Sequence, residues 1–475
     1  MSVEKLGHNF MMSCLIIASN FPPVHSAGVY RTVRIVKYLL AHNWNLSVLT
    51  LDTNTLPAGT KVDANLLGQV DDSIEIFRAP AQFPIERFNQ IFGRNQKSRK
   101  TNSSTVSVAT RIDKEISESP SISLFQRLKD RVTIPWMTPD RLVGWVRPAA
   151  KLGIATVKKN KPELLYSSGP PWSNHLVGSR VVAATGIPWV ADFRDPWGGN
   201  AFRPSRGEDT WAGRQHRRLE LEVYRAANVV IFNTDRARQD AIDRTGEWLA
   251  DKSIVIPNGF DPACFVEIAE PTSVASSDGP LRMIHAGAFY GQRNIDSLLL
   301  SIGELKRSCE LESCDFQLEL VGTPRPHEQK LVDEQQIQDF VTFVPAMPHR
   351  DCLQRLSSAH VLLLVQTGAP LCVPGKLYEY IALNKPIFTL SGAGSTADLV
   401  AKEGLGHCID PNNVPQLKSA LSDLLQQYRA DHLNPPNSSS RSCYDGKKQM
   451  TLFDNAFRRA IASRSSSSSR SGDSA

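Results

Sequence analysis

The sequence offers little organised sulfur chemistry, because its eight cysteines stand singly along the chain. They form no CxxC pair and no Cys/His group with the spacing of a zinc site, so the sequence predicts no bound zinc. Scattered single thiols are typical of proteins in a reducing cytoplasm. The cysteine pattern therefore predicts a cytoplasmic protein.

Long apolar runs are also missing. No uninterrupted apolar stretch approaches the roughly 20 residues that a membrane-spanning helix needs. The start of the chain contains Glu4, Lys5 and His8 and lacks the apolar core of a signal peptide. We expect a protein that is soluble or, at most, bound peripherally at the cytoplasmic membrane.

Charge of one sign is not in large excess, since 54 Lys and Arg residues face 48 Asp and Glu residues, for a net charge of +6. So small a net charge on a chain of this length does not favour nucleic-acid binding. Hydrophobic residues make up 41% of the sequence, which supports globular packing. At 475 residues the chain is too long for one ordinary core, and we expect two domains.

Short apolar runs alternate with helical patterns twice along the chain, which is typical of doubly wound α/β domains. The first series predicts an N-terminal domain over residues 1–270, and the second a C-terminal domain over residues 281–445. A Ser/Pro-rich linker at 271–280 separates them, and an amphipathic helix follows at 446–463. Two such domains place a ligand site beyond their strand ends, in the cleft between them.

Two segments have the composition of mobile chain. Residues 87–131 are basic and then rich in Ser and Thr, which predicts an insertion, and residues 464–475 are mostly serine, which predicts a disordered tail. Basic residues mixed with aromatic ones between Phe125 and Trp145 fit a bilayer-contacting surface. A solvated loop beside a core helix fits the same residues.

The most informative stretch combines a turn with a charged helix start. Pro374 and Gly375 predict a turn, and the helix that follows ends at Asn384. Lys376 and Glu379 stand three residues apart, so the helix places both on one face near its N-terminus. That arrangement suits a diphosphate with a ribose attached, the Lys for the phosphates and the Glu for the sugar hydroxyls. An ordinary ion pair on a capped surface helix fits equally well.

The N-terminal half has two weaker features at predicted strand ends. Arg194 and Asp195 follow the apolar run 187–191, at the edge where active sites form in parallel sheets. A structural Arg–Asp pair that closes a loop is the alternative. Gly28 precedes a helical pattern after the first apolar run, and a lone glycine is weak evidence by itself.

These stretches resemble family 4 of the retaining glycosyltransferases, which have the GT-B fold. Residues 373–388 resemble the donor-binding block of that family, and residues 256–261 resemble the turn at the junction of its two domains. Residues 167–197 resemble a bacterial branch that builds cell-surface polysaccharides. The resemblance implies two Rossmann-like domains that face each other across a cleft, with a C-terminal helix that crosses back to the first domain.

The resemblance also implies roles for individual residues. Glu379 would bind the ribose or sugar hydroxyls of a nucleotide-sugar donor, and Gly28 would let the backbone approach the donor phosphate or the acceptor. Arg293 stands where the family has a Lys that grips the diphosphate. Two positions depart from the family pattern: Ala288 replaces an Arg of the diphosphate loop, and Leu371 replaces a frequent second Glu near the transferred sugar.

The predicted function is transfer of a hexose, with retention, from a nucleotide-diphosphate sugar to a glycan or lipid-linked acceptor in surface polysaccharide synthesis. Arg293 and Lys376 would neutralise the leaving diphosphate, so that neither a metal nor another cofactor is needed. Arg194 and Asp195 would position the acceptor or the sugar. A nucleotide-sugar 2-epimerase of the same fold and a non-catalytic nucleotide-sugar-binding protein are the alternatives. The sequence does not name the base, the sugar or the acceptor.

Overall fold

The computed structural model describes most of the chain. The described residues are 12–24, 26–56, 60–83, 137–200, 210–268, 279–289, 293–323, 325–433, 436 and 438–470. The predicted insertion at 87–131 lies outside them, as does the predicted linker apart from residues 279 and 280.

The N-terminal domain is built on a parallel sheet, which has seven strands within the described residues, in the order β3-β2-β1-β4-β5-β6-β7. Its strands are β1 (Ser13–Ile17), β2 (Asn45–Leu51), β3 (Glu75–Ala79), β4 (Leu164–Gly169), β5 (Trp189–Phe193), β6 (Val229–Phe232) and β7 (Ser253–Val255). Its helices are α1 (Ala27–Ala41), α2 (Val146–Asn160), α3 (Ser173–Thr185), α4 (Trp211–Ala226) and α5 (Asp235–Thr245). The strand order reverses direction at β1 and β4, which is where such sheets open a ligand crevice.

The C-terminal domain repeats the plan with a parallel sheet, six-stranded in the described part of the chain, in the order β10-β9-β8-β11-β12-β13. Its strands are β8 (Leu281–Ala286), β9 (Phe316–Val321), β10 (Val341–Val344), β11 (Val361–Val365), β12 (Ile387–Leu390) and β13 (Gly406–Ile409). Its helices are α6 (Asp296–Arg307), α7 (Pro326–Glu334), α8 (His349–Ser357), α9 (Gly375–Leu383), α10 (Ser395–Glu403), α11 (Val414–Arg429) and α12 (Ser438–Cys443).

The central strands of both sheets are largely buried, because helices cover both sheet faces. Every residue of β4, β5, β6 and β11 is buried. Two parallel-sheet domains of this kind confirm the predicted fold class.

The last helix, α13 (Gly446–Arg470), packs on the N-terminal domain. Its buried Phe457 lies 5.3 Å from Tyr166 and 5.8 Å from Trp44, measured between ring centroids. The predicted return of the chain to the first domain is therefore confirmed. The helix continues to Arg470, into the segment that the sequence predicted to be disordered.

The chain passes between the domains twice, and the two passages hydrogen-bond to each other. The Phe260 amide donates to the Tyr444 carbonyl at 3.1 Å, and the Gly446 amide donates to the Phe260 carbonyl at 3.0 Å. A Cβ placed on Gly259 would lie 2.5 Å from the Tyr444 oxygen, so this close approach requires glycine. The junction predicted at residues 256–261 thus lies beside the entry to α13.

Trp145, one of the aromatic residues considered for membrane contact, is fully buried. Its Nε1 donates to the Ala79 carbonyl at 3.1 Å. This residue therefore belongs to the core of the N-terminal domain.

Candidate active site

Helix α9 begins at Gly375, one residue earlier than the sequence predicts, and it ends at Asn384 as predicted. Pro374 precedes its first residue, and Asn384 ends it with a left-handed backbone (φ 53°). Tyr378 and Tyr380 are buried against the C-terminal core, while Lys376 and Glu379 are half-buried on the open side. The helix therefore presents both predicted donor-binding side chains on one face of its N-terminal half.

The Lys376 ammonium occupies the space beside Gly287, directly after β8. A Cβ placed on Gly287 would lie 1.5 Å from Lys376 Nζ, and the backbone there has φ +135°. Only glycine tolerates both the close approach and this backbone angle. The lack of a side chain at Gly287 therefore leaves the space that the end of the Lys376 side chain occupies.

Lys376 and Arg293 line the same small pocket, together with His285 and Ala288. Burial lowers the pKa of Lys376, and the nearby Arg293 guanidinium lowers it further. Two neighbouring cations in a partly desolvated pocket repel each other, and an anion between them would relieve that repulsion. The pocket thus has the charge expected of a diphosphate site.

His285 adds a neutral acceptor to this pocket. Its Nδ1 donates to the Leu363 carbonyl at 2.9 Å, so the proton is on Nδ1 and Nε2 carries a lone pair. Within the described residues Nε2 has no hydrogen-bond partner. Burial, reinforced by the charge of Lys376, lowers the pKa of His285 to about 3, so the ring stays neutral at physiological pH.

Glu379 pairs with His349 at the start of α8, and its Oε1 lies 2.9 Å from His349 Nε2. This hydrogen bond raises the pKa of His349. Among the ion pairs of the described residues there is none between Lys376 and Glu379, so the alternative of an ordinary pair on one helix does not apply. The two side chains instead serve neighbouring parts of the cleft wall.

On the N-terminal side, Arg194 lies against Gly28. A Cβ on Gly28 would lie 2.6 Å from Arg194 Nη1, so the glycine makes room for the guanidinium. The Arg194 amide donates to the Gly169 carbonyl at 2.9 Å, and its side chain donates to the Pro170 carbonyl. Gly28, Arg194 and the loop after β4 therefore form one wall of the crevice.

Asp195 connects the two walls electrostatically. Burial raises its pKa, and the guanidinium charges of Arg194 and, from the C-terminal domain, Arg293 act in the opposite direction. Asp195 follows β5 of the N-terminal domain, whereas Arg293 lies between β8 and α6 of the C-terminal domain. Their opposite charges therefore attract each other across the cleft.

Leu371 also joins the two domains. Its carbonyl accepts a hydrogen bond from Thr234 Oγ1 at 2.8 Å, and its side chain packs against the N-terminal core. A Cβ on Gly199 would lie 2.8 Å from Leu371 Cδ1. The position that departs from the family pattern is therefore an interdomain contact.

Comparison with protein families decides the identity of the chain. Residues 106–259 match the Glycosyl transferase 4-like domain, and residues 268–437 match Glycosyl transferases group 1. The chain belongs to the family 4 type of glycosyltransferases. The first match begins inside the segment 87–131 that the sequence predicted to be an insertion. A comparison with curated protein sequences gave no match.

Solved structures with the same fold cover nearly the whole glycosyltransferase. Sucrose-phosphate synthase from Thermosynechococcus elongatus is 16% identical, with a TM-score of 0.61, covering 95% of this chain and 100% of its own. Anabaena HepE in complex with UDP and glucose is 14% identical (TM-score 0.56; 94% and 98% covered). The lipopolysaccharide outer core galactosyltransferase WaaB is 12% identical (TM-score 0.56; 94% and 99% covered). At these identities the likeness shows the GT-B fold.

A buried ion pair that sequence reasoning did not single out supports the N-terminal wall of the glycosyltransferase. Arg31 Nε and Nη2 donate to the two Asp192 carboxylate oxygens at 3.0 and 2.8 Å, and Tyr166 Oη donates to the same carboxylate at 2.7 Å. Arg31 Nη1 also donates to Asn258 Oδ1 at 2.6 Å. One guanidinium thus ties α1 to the end of β5 and to the interdomain junction. The only signal in the sequence is an arginine one turn after Gly28.

The described part of the glycosyltransferase has neither a cluster of metal-ligating side chains nor a helix that could span a membrane. No three His, Cys, Asp or Glu side chains there come together as metal ligands would. None of the described helices combines the length and apolarity that crossing a membrane would require.

Proposed function

We propose that this glycosyltransferase moves a hexose, with retention, from a nucleoside-diphosphate sugar to a glycan or lipid-linked acceptor in surface polysaccharide synthesis. One observation carries the proposal: Lys376 and Arg293, two cations of the C-terminal domain, line one pocket beside the carboxyl ends of β8 and β11. A site with cations on one wall and polar groups on the other suits a charged donor and a hydroxyl acceptor.

The negative charge of the leaving diphosphate explains why the site has two cations. When the bond between the sugar and the phosphate breaks, the diphosphate gains negative charge, and groups already placed to receive it lower the barrier. Lys376 and Arg293 supply that charge, and the N-terminus of α9 adds a partial positive charge. We propose that these groups make a metal ion unnecessary, and that no other cofactor takes part.

The remaining side chains divide between donor and acceptor. Glu379, held by His349 through one oxygen, offers its second oxygen to the ribose or sugar hydroxyls. Gly28 lets the backbone and Arg194 come close to the donor phosphate or the acceptor. Arg194 and Asp195 position the acceptor or the sugar, and the departing phosphate takes the proton of the acceptor hydroxyl on the same face of the sugar. Lys376, Arg194 and Asp195 are thus the proposed catalytic residues.

The similar structures suggest which donor and acceptor to try first. Anabaena HepE is described in complex with UDP and glucose, so UDP-hexoses come first among the donors. WaaB is described as a lipopolysaccharide outer core galactosyltransferase, which makes surface glycans the first acceptors. A lipid-linked acceptor would also hold this enzyme peripherally at the inner face of the membrane.

The test is a transfer assay with UDP-, GDP- and ADP-hexoses and surface-glycan acceptors, with and without EDTA. We expect nucleoside diphosphate to be released only when the acceptor is present, EDTA to have no effect, and NMR to show that the anomeric configuration is kept. Lys376→Ala should lose most of the activity, while Lys330→Ala, at an exposed lysine of α7, should not. Conversion of the sugar nucleotide without acceptor would indicate a 2-epimerase instead.

A further inference from the structure

Gln366 is a buried amide at the carboxyl end of β11, beside the predicted diphosphate site. Its side chain is 2% exposed. Its backbone amide donates to the Leu390 carbonyl at 2.9 Å, and its carbonyl accepts from Ser391 Oγ at 3.0 Å. The residue is therefore fixed by the sheet.

The orientation of the Gln366 side chain follows from its partner. Arg293 Nη2 donates to Gln366 Oε1. Because a guanidinium has only donors, the amide oxygen must face Arg293, and the amide nitrogen must point elsewhere. That nitrogen, Nε2, is buried and has no hydrogen-bond partner among the described residues. A buried donor of this kind requires an acceptor.

Gln366 lies near the place where a family cation is missing. Strands β8 and β11 pair Met283 with Val361 and Ile284 with Leu362. Continued to the strand ends, this register brings Gln366 level with Ala288. Among the described residues that line the pocket, Lys376 and Arg293 are the only cations, and Gln366 holds an unsatisfied neutral donor beside Arg293.

We propose that Gln366 is a further donor-binding residue, whose Nε2 donates a hydrogen bond to an oxygen of the diphosphate that Arg293 and Lys376 neutralise. The inference rests on the proposed function, because it needs a nucleoside diphosphate in the pocket. A neutral amide suits this position, since a third cation would add repulsion to that already present between Lys376 and Arg293. The rival explanation is that Gln366 serves only to hold Arg293.

Calorimetric titration of purified variants separates these explanations. UDP, GDP and ADP are titrated into the wild-type protein, and the tightest of them, with its parent nucleoside, is then titrated into Gln366→Met, Arg293→Ala and the double variant. We expect Gln366→Met to bind the diphosphate about 10- to 100-fold more weakly, as for a lost hydrogen bond to a charged group. Binding of the nucleoside should not change.

The double variant shows whether Gln366 binds the diphosphate itself or only holds Arg293 in place. If Gln366 contacts the diphosphate, Gln366→Met weakens binding in the Arg293→Ala background as well. If Gln366 acts only through Arg293, Gln366→Met does not change binding in the Arg293→Ala background, and the inference is overturned. The exposed Gln338→Met is the matched control and should bind like wild type.

A second substitution covers the case in which Gln366→Met does not fold. Gln366→Glu keeps the size of the side chain and an acceptor for Arg293, but it replaces the donor with a negative charge. We expect it to abolish diphosphate binding, and unchanged affinity would overturn the inference. A wild-type protein that binds no nucleoside diphosphate would refute the proposed function and this inference together. Binding by wild type with equal binding by folded Gln366 variants would refute the inference alone.

Discussion

Replacing Gly287 with alanine tests whether the position of Lys376 matters for catalysis. The new methyl carbon would lie 1.5 Å from Lys376 Nζ, a distance far shorter than two non-bonded atoms can approach. The ammonium is the free end of a flexible side chain, so it will move away at little cost to the fold. We therefore expect the main loss in activity and a smaller one in stability.

The two losses have different sizes. Alanine at a positive φ costs about 1–2 kcal/mol, which lowers the Tm of a domain of this size by about 2–8 °C. A displaced ammonium gives up a charge-assisted contact to the diphosphate, worth about 1.5–3 kcal/mol, and this corresponds to a loss of about 10- to 150-fold in kcat/KM. Activity should thus fall far more than the change in Tm would suggest.

Gly186→Ala is the matched control, because Gly186 also has a positive φ (+64°) and a Cβ there meets nothing within 4 Å. It should lower Tm slightly and leave kcat/KM unchanged. The double variant Gly287→Ala/Lys376→Ala should be no less active than Lys376→Ala alone, because both changes remove the same contact. Folded Gly287→Ala with wild-type kcat/KM would refute the proposed role of Lys376.

Three further outcomes follow from the interdomain and junction contacts. Leu371→Ala removes an apolar contact between the domains worth about 1–2 kcal/mol, so donor KM should rise by about 5- to 30-fold, and an unchanged KM would show that the contact does not assist closure. The hydrogen bond to Glu379 raises the pKa of His349 above its ordinary value of 6.5. The stabilisation from this pair is therefore complete below pH 6.5, and it is lost as the pH rises through the raised pKa. The Tm difference between wild type and His349→Gln should therefore shrink from about pH 6 to about pH 8, and a constant difference would exclude the effect. Arg31→Met leaves the Asp192 carboxylate buried without its partner and should lower the free energy of unfolding by about 3–5 kcal/mol in urea titrations, whereas a loss below 1 kcal/mol would mean that water replaces the guanidinium.

Features that depend on a few neighbouring residues could be predicted from the sequence. The run from Ile387 to Leu390 is a fully buried strand, as its apolar composition indicates. Asn384 ends α9 because asparagine tolerates a left-handed backbone, and that preference is local. The order of such strands and helices predicts two doubly wound α/β domains, since parallel sheets allow few connections. The GT-B arrangement of those domains is implied by the family resemblance.

The contacts that complete the site join residues far apart in the chain, and no local pattern encodes them. In the sequence Gly287 is an ordinary loop glycine, and only the packing of α9 shows that Lys376 Nζ lies beside it. The partner of Glu379 is His349, thirty residues earlier, on another helix. The sequence could suggest which side chains carry the chemistry, but packing between separate elements determines what holds each of them.

The two departures from the family pattern are best understood together. At one, where the family often has a Glu, the apolar side chain of Leu371 packs on the opposite domain and supports the cleft. At the other, Ala288 lacks a cation, and the nearby Gln366 amide keeps an unsatisfied donor beside Arg293. Both changes reduce the number of charged groups at the cleft while leaving Lys376 and Arg293 in one pocket. Under the proposed function, Lys376 and Arg293 then supply most of the charge from the C-terminal domain that stabilises the leaving diphosphate, so loss of either should reduce kcat/KM severely.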